Sequence, residues 1–202
     1  MIVGICVVLY LGEIIPDSPV FYLLAYAPFL TSYEPWRMLT SAFLHSPTNF
    51  FHILFNMYAL LAFGPTLEWL LGRWRYLVLY LLAAFAGSVA VEWIAPVGQA
   101  VVGASGALFG LFAALVIIQR GLGQNPTQLI VMIALNLVIG FIPGTNIAWQ
   151  AHVGGIIAGV VVAEIYVRTR AVRQRRRQVL WIVLFGVALV ALTILGVFVR
   201  TW

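Results

Sequence analysis

Four polar side chains lie in otherwise apolar stretches of the sequence: His52, Asn56, Ser105 and His152. Their types suit acyl transfer. A serine within hydrogen-bond reach of a neutral histidine is the minimal activated serine nucleophile. The imidazole takes the hydroxyl proton during attack and returns it to the leaving amine. Ser105 opens the run Gly103-Ala104-Ser105-Gly106-Ala107-Leu108-Phe109-Gly110, and His152 opens Ala151-His152-Val153-Gly154-Gly155. A serine at a helix start has unpaired backbone N–H groups and the positive end of the helix dipole beside it. His52 and Asn56 stand four apart, which puts them on one helical face. With the Ser105 backbone N–H they supply the donors of an oxyanion hole. No carboxylate is placed to orient His152. Glu34 and Glu92 read as loop residues, and Glu68 and Glu164 fall near the opposite ends of their segments. The expectation is therefore a dyad of Ser105 and His152, with no third member.

These residues need elements to position them, and the composition says what kind. The chain has 202 residues, of which 63% are hydrophobic and 8% charged, with a mean hydropathy of +1.05. A water-facing surface needs about 25–35% charged residues. This chain must be solvated by lipid. That excludes a soluble globular protein, a disordered chain and a nucleic-acid binder with an exposed basic face. A single cysteine, Cys6, allows no intrachain disulfide.

A bilayer core of about 30 Å takes about 20 apolar helical residues. Six segments read as spans: 49–70, 76–94, 105–119, 127–142, 151–167 and 179–199. A seventh, 2–15, precedes them and is broken by Gly12 and Glu13. A signal peptide is the alternative for that first segment, but a positive n-region and a small-residue cleavage site are missing. All 11 cationic residues are Arg. Nine of them (Arg73, Arg75, Arg120, Arg168, Arg170, Arg173, Arg175, Arg176 and Arg177) fall in alternate loops, which marks that side as cytoplasmic. The other side keeps Arg37 and Arg200 with Glu13, Asp17, Glu34 and Glu92. The N-terminus is then inside and the C-terminus outside. The spans holding His52, Ser105 and His152 all run inward from the outer face, which puts the four polar side chains in one layer of the outer half.

Small residues say which spans can meet. Gly106 and Gly110 repeat at four, as do Ala151, Gly155 and Gly159. Such faces let helix backbones approach closely in lipid. The stretch 16–48 is long and rich in aromatics, suited to lying in the interface.

Other readings compete. A serine in a Gly/Ala-rich helix is usually a packing residue, and a histidine in a span is more often a buried hydrogen-bond partner or a proton relay. Three histidines suggest a metal, but there is no HExxH and no carboxylate at that depth. A proton-coupled transporter needs polar groups at the midplane, whereas these lie near the outer face. A non-proteolytic scaffold that binds client helices needs no Ser–His pair.

The motifs resemble those of the rhomboid family of intramembrane serine proteases. The chain carries Gly-x-Ser-Gly as Gly103-Ala104-Ser105-Gly106, Ala-His-x-x-Gly as Ala151, His152 and Gly155, and His-x-x-x-Asn as His52 and Asn56. Trp36-Arg37 stands in the long first loop, and Glu68 lies near the end of the second span. The resemblance runs from about 36 to 167. It implies an all-α polytopic membrane protein: a six-helix bundle around a water-filled, outward-facing cavity, here followed by one more span, seven in all. Residues 1–168 would form the catalytic domain, 169–178 a cytoplasmic polybasic linker, and 179–202 the added C-terminal helix.

The resemblance also implies roles. Segment 127–142 would act as a lateral gate, and the stretch 36–49 as a loop half-embedded in the outer leaflet. His45 would be structural, bracing that loop by hydrogen bonds. Gly103, Gly106, Phe109, Trp36, Arg37, Glu68, Ala151 and Gly155 would support the site. Phe109 stands where many members have Tyr; it can stack on His152 but brings no hydroxyl. Substrates would be single-span membrane proteins cut near helix-destabilising small residues, since a stable helix shields its peptide bonds. The expected partners are those substrates and the lipid bilayer, with no nucleic acid, no cofactor and no metal. The expected location is a bacterial plasma membrane, with the site open to the non-cytoplasmic side. The sequence does not fix an oligomeric state.

Overall fold

The computed structural model describes residues 1–142 and 147–200. The last two positions of the 179–202 segment lie outside the described residues. Among these residues the chain is helical, apart from an isolated antiparallel bridge between Tyr26 and Val101. The helices are α1 (Ile2–Glu13), α2 (Val20–Leu24), α3 (Arg37–Thr40), α4 (Phe50–Leu71), α5 (Arg73–Ile94), α6 (Ser105–Gly121), α7 (Thr127–Ile139), α8 (Trp149–Arg168) and α9 (Arg175–Arg200). Among the described residues, four stretches are long and apolar enough to cross a membrane: α4, α5, α8 and the segment Val172–Arg200 that contains α9. The helices α1, α6 and α7 are apolar but shorter.

Local chemistry sets the ends of these elements. Asn49 starts α4 by accepting the Phe51 backbone N–H on its side chain at 3.1 Å, the usual role of an Asn cap. Gly72 alone joins α4 to α5, and α5 begins at Arg73, ahead of the expected 76. The helix α8 starts at Trp149, so His152 sits in its first turn. The expected linker 169–178 is partly helical: Val172–Gln174 forms a 3-10 turn and α9 begins at Arg175.

The bundle is built around α6. Every residue from Gly106 to Val116 is buried, because α5 and α8 pack against it and against each other. At about 1.5 Å per residue, a helix this short does not match a full bilayer. Encased by its neighbours, it has no need to. The α6–α8 approach depends on glycine. A Cβ on Gly155 would overlap the Gly106 carbonyl oxygen, and a Cβ on Gly106 would stand 3.2 Å from the Ala151 oxygen. By contrast, α7 buries only Leu129.

The long first loop is folded. It contains α2, a 3-10 turn at Pro28–Leu30, α3 and a second 3-10 turn at Ser41–Phe43. Arg37 is 6% exposed. Its guanidinium donates to the Ala25 carbonyl at 3.0 Å and to the Tyr22 carbonyl, and pairs with Glu34. Two side chains of α5 hold the loop from beneath. Ser88 Oγ donates to the Met38 carbonyl at 2.6 Å, and Tyr80 Oη to the Ala42 carbonyl at 2.9 Å.

Glu92 falls where the span 76–94 puts it and not in a loop, which corrects the loop reading: it lies within α5, is 1% exposed, and accepts from both Tyr26 Oη and Thr31 Oγ1 at 2.5 Å. A buried carboxylate is tolerated when its oxygens are bonded. Burial and the Glu92 carboxylate push the Tyr26 hydroxyl well above its usual range, so it remains a donor.

Candidate active site

The loop before Ser105 is clamped on both sides. Tyr26 and Val101 exchange backbone hydrogen bonds at 3.2 and 2.7 Å, and the Gly103 N–H donates to the Ser41 carbonyl at 2.9 Å. Gly103 has φ +128°, a conformation that side chains rarely allow. There is also no room for one. A Cβ there would lie 2.7 Å from His52 Nε2 and 3.6 Å from Ser105 Oγ. Ser105 then begins α6, where the first backbone N–H groups have no intrahelical acceptor.

Ser105 Oγ lies 2.9 Å from His152 Nε2. The Phe109 ring stacks on the imidazole, with centroids 4.1 Å apart and planes at 12°. His152 is 5% exposed, and its Nδ1 has no hydrogen-bond partner among the described residues. An Oγ–H donated to Nε2 requires the His152 proton to sit on Nδ1.

His52 is held in the opposite sense. Its Nδ1 accepts the Ser46 backbone N–H at 3.2 Å, which leaves its proton on Nε2, the nitrogen over Gly103. Asn56 is buried one turn along. Its Nδ2 donates to the His52 carbonyl at 2.7 Å, and its Oδ1 has no partner among the described residues. His52, Asn56, Ser105 and His152 line one cavity of about 1030 Å³, closed on another side by Met132, Asn136 and Ile139 of α7. A second cavity of about 520 Å³ lies elsewhere, between the first loop and α9.

The supporting residues divide. Gly103, Gly106, Phe109 and Ala151 line the cavity, and Gly155 packs against the Gly106 backbone beside it. Arg37 acts at a distance, by pinning the first loop. Trp36 is half exposed and borders the second cavity, not the first. Glu68 is exposed near the far end of α4, and its backbone carbonyl accepts the Gly72 N–H.

His45 is fully buried, and its ring feels the Phe43 backbone without a hydrogen bond of ordinary geometry from either nitrogen among the described residues. The resemblance implies bracing by hydrogen bonds. The brace is the His45 backbone N–H, which donates to both Glu13 carboxylate oxygens at 3.2 and 3.0 Å. The ring adds an edge contact with His52, centroids 5.2 Å apart. Burial first, and the nearby His52 second, push the His45 imidazole down to about 3, so it is neutral at ordinary pH.

Glu13 and Ser46 were not singled out as site residues by sequence reasoning. Glu13 did carry a signal, as an acidic residue ending an apolar helix. Ser46 carried none, since its contribution is a main-chain N–H.

The model of the Rhomboid domain family matches residues 32–169. This chain belongs to the rhomboid family. YdcA of Bacillus subtilis is 33% identical over 142 residues, covering 68% of this chain and 70% of the relative. The rhomboid protease GluP of Bacillus subtilis is 38% identical over 135 residues, 64% of this chain and 26% of GluP. The rhomboid-type serine protease 2 of Emericella nidulans is 36% identical over 151 residues, 70% of this chain and 29% of that protein. The rhomboid chain thus spans only about a quarter to a third of the latter two relatives. In class it is an intramembrane serine protease, and its apolar helices make it an integral membrane protein.

Proposed function

We propose that this rhomboid is an endopeptidase that cuts single-span membrane proteins with a Ser105–His152 dyad. The observation that carries the reading is the 2.9 Å approach of His152 Nε2 to Ser105 Oγ. His152 Nε2 removes the hydroxyl proton as Oγ attacks the carbonyl carbon of the scissile bond. The negative charge that develops on the carbonyl oxygen is met by the N–H groups at the start of α6, by His52 Nε2–H and by the second Nδ2–H of Asn56. His152 then gives its proton to the leaving amine. Water, activated by the same imidazole, hydrolyses the acyl-enzyme. A substrate helix must unwind before its carbonyl can reach Ser105, so sites near small, helix-destabilising residues are cut first.

In this reading α1, α4, α5, α6, α7 and α8 form the six-helix catalytic unit (1–168) and α9 is an added seventh span. The cavity opens to the non-cytoplasmic side, opposite the nine-Arg face, in a bacterial plasma membrane. α7, with Leu129 as its one buried residue among those described, is the lateral gate. No cofactor or metal takes part in the proposed chemistry.

The test is cleavage in liposomes of a single-span substrate with small residues in its outer half, read beside labelling by a fluorophosphonate. Ser105→Ala should abolish both. His152→Ala should lower cleavage by about 10³-fold or more. A Ser105→Ala variant that cleaves like the parent overturns the proposal. Client binding without any cleavage, unchanged by either substitution, identifies a scaffold instead.

A further inference from the structure

One buried carboxylate has no part in the proposed chemistry. Glu13 ends α1, an otherwise apolar helix, and is 7% exposed. An acidic side chain in such surroundings is costly and calls for a bonded role. Both its oxygens accept the backbone N–H of His45. The next N–H along the chain, that of Ser46, donates to Nδ1 of His52. Two successive main-chain donors are thus fixed to two different helices, one to α1 and one to α4. The buried His45 ring lies edge-on against the His52 ring.

The consequence concerns one proton. A neutral imidazole has one donor nitrogen and one acceptor nitrogen, and the bond made by one decides the state of the other. With Nδ1 accepting from Ser46, His52 carries its proton on Nε2. That nitrogen faces Gly103, one residue before the Ala104–Ser105 peptide. Were the Ser46 N–H to swing away, His52 could adopt the other tautomer. The site would then present a lone pair where the developing oxyanion needs a donor.

We propose that Glu13 is a positioning residue for His52: by holding the His45–Ser46 segment, it keeps the Ser46 N–H on Nδ1 and so keeps Nε2 a donor at the reacting carbonyl. This rests on the reading of His52 as an oxyanion donor. Glu13 itself does not touch the substrate. It acts through two peptide groups and a ring.

The chain has three histidines, so ¹⁵N-histidine labelling of the full-length protein in micelles resolves each ring once assigned by single substitutions. The parent should show His52 as the Nε2–H tautomer. Glu13→Gln keeps an acceptor oxygen and should keep that tautomer, with kcat within about 3-fold of the parent. Glu13→Leu removes the acceptor. It should give a mixed His52 tautomer and lower kcat by about 10–100-fold with KM for a single-span substrate unchanged, a loss on the scale of one weakened oxyanion donor. Glu13→Leu with an unchanged His52 tautomer, or with a loss confined to KM or to thermal stability, overturns the proposal. If Glu13→Leu does not fold, the parent and Glu13→Gln spectra decide: Nδ1–H on His52 in either one overturns it. Should His52→Ala leave kcat intact, the oxyanion role of His52 fails, while the tautomer comparison still reports whether the Glu13 link exists.

Discussion

His52 and Asn56 share a face of α4, yet they are held by different means. The His52 ring is fixed through its Nδ1, whereas Asn56 has one Nδ2 proton on the His52 carbonyl and one left over. That spare donor, one turn below Nε2, is what a tetrahedral oxyanion would use. Asn56→Ala should therefore lower kcat by about 10²-fold with little change in KM, because the contact forms only as charge develops; steady-state kinetics in liposomes checks this. His45 supports a second expectation. Its imidazole is pushed below the usual histidine value by burial, so between about pH 6.5 and 3 the unfolded chain binds a proton that the folded chain does not. Stability from this group is complete above about pH 6.5 and falls as the pH is lowered, by at most about 1.4 kcal/mol per unit. A thermal melt in micelles at pH 5 should lie below one at pH 7.5, and His45→Gln should shrink the difference.

At the scale of elements, the α6–α8 seam decides whether Ser105 and His152 meet. The two residues come from separate helices, and the spacing between those helices is set where Gly155 abuts Gly106. Gly155→Val inserts a branched side chain against the α6 backbone. It should destabilise the fold by about 1–3 kcal/mol through overpacking and abolish cleavage by parting the dyad, while leaving the protein membrane-inserted. Melting curves and cleavage assays read the two effects separately. The helices also differ in how firmly they are held. Backbone segments with few buried contacts open most readily. α6 is buried along most of its length and α7 buries Leu129. Hydrogen exchange in nanodiscs should accordingly reach the amides of α7 before those of α6 and α8. Uniform exchange across the three would remove α7 as the gate.

The whole molecule has an orientation to test. Nine of 11 Arg lie on one face by the charge rule, whereas the cavity, the first loop and Glu92 belong to the opposite end. The sole cysteine, Cys6, is fully buried, so the native background for thiol labelling is low. A cysteine placed at Thr48 should react with a membrane-impermeant maleimide from outside the cell, and one placed at Arg173 should react only after the membrane is opened. The reverse pattern would turn the cavity towards the cytoplasm. The added helix α9 is bound at both ends. Gln178 ties to Arg75 and Thr169 on the Arg-rich side. At the other end, Trp93 Nε1 donates to the Leu192 carbonyl and Arg200 to the Ala95 carbonyl. It is thus docked on α5, the helix that carries Glu92 and Ser88 beneath the first loop.

Much of this could be read in the sequence, because lipid makes polarity informative. With 8% charged residues, a His, Asn or Ser inside an apolar stretch needs a reason to be there. The spacing His52–Asn56 and the small residues around Ser105 and His152 pointed to the candidate site and to the helices that carry it. Periodicity and the Arg asymmetry are local signals, so helix positions and the expected orientation followed from them. The partners of Glu13 and Glu92 did not. Glu92 bonds to residues 66 and 61 positions away, and Glu13 to one 32 positions away. Whether a carboxylate in an apolar chain faces water, a gate or a buried hydroxyl is decided only when the first loop folds back over α5. The same holds for Ser46, whose contribution is a peptide N–H that every residue but proline possesses. The sequence singled out the side chains proposed to do the chemistry. The tertiary structure decided which backbone donors and buried acids hold them in place, because those contacts depend on distance in space and leave no spacing in the chain.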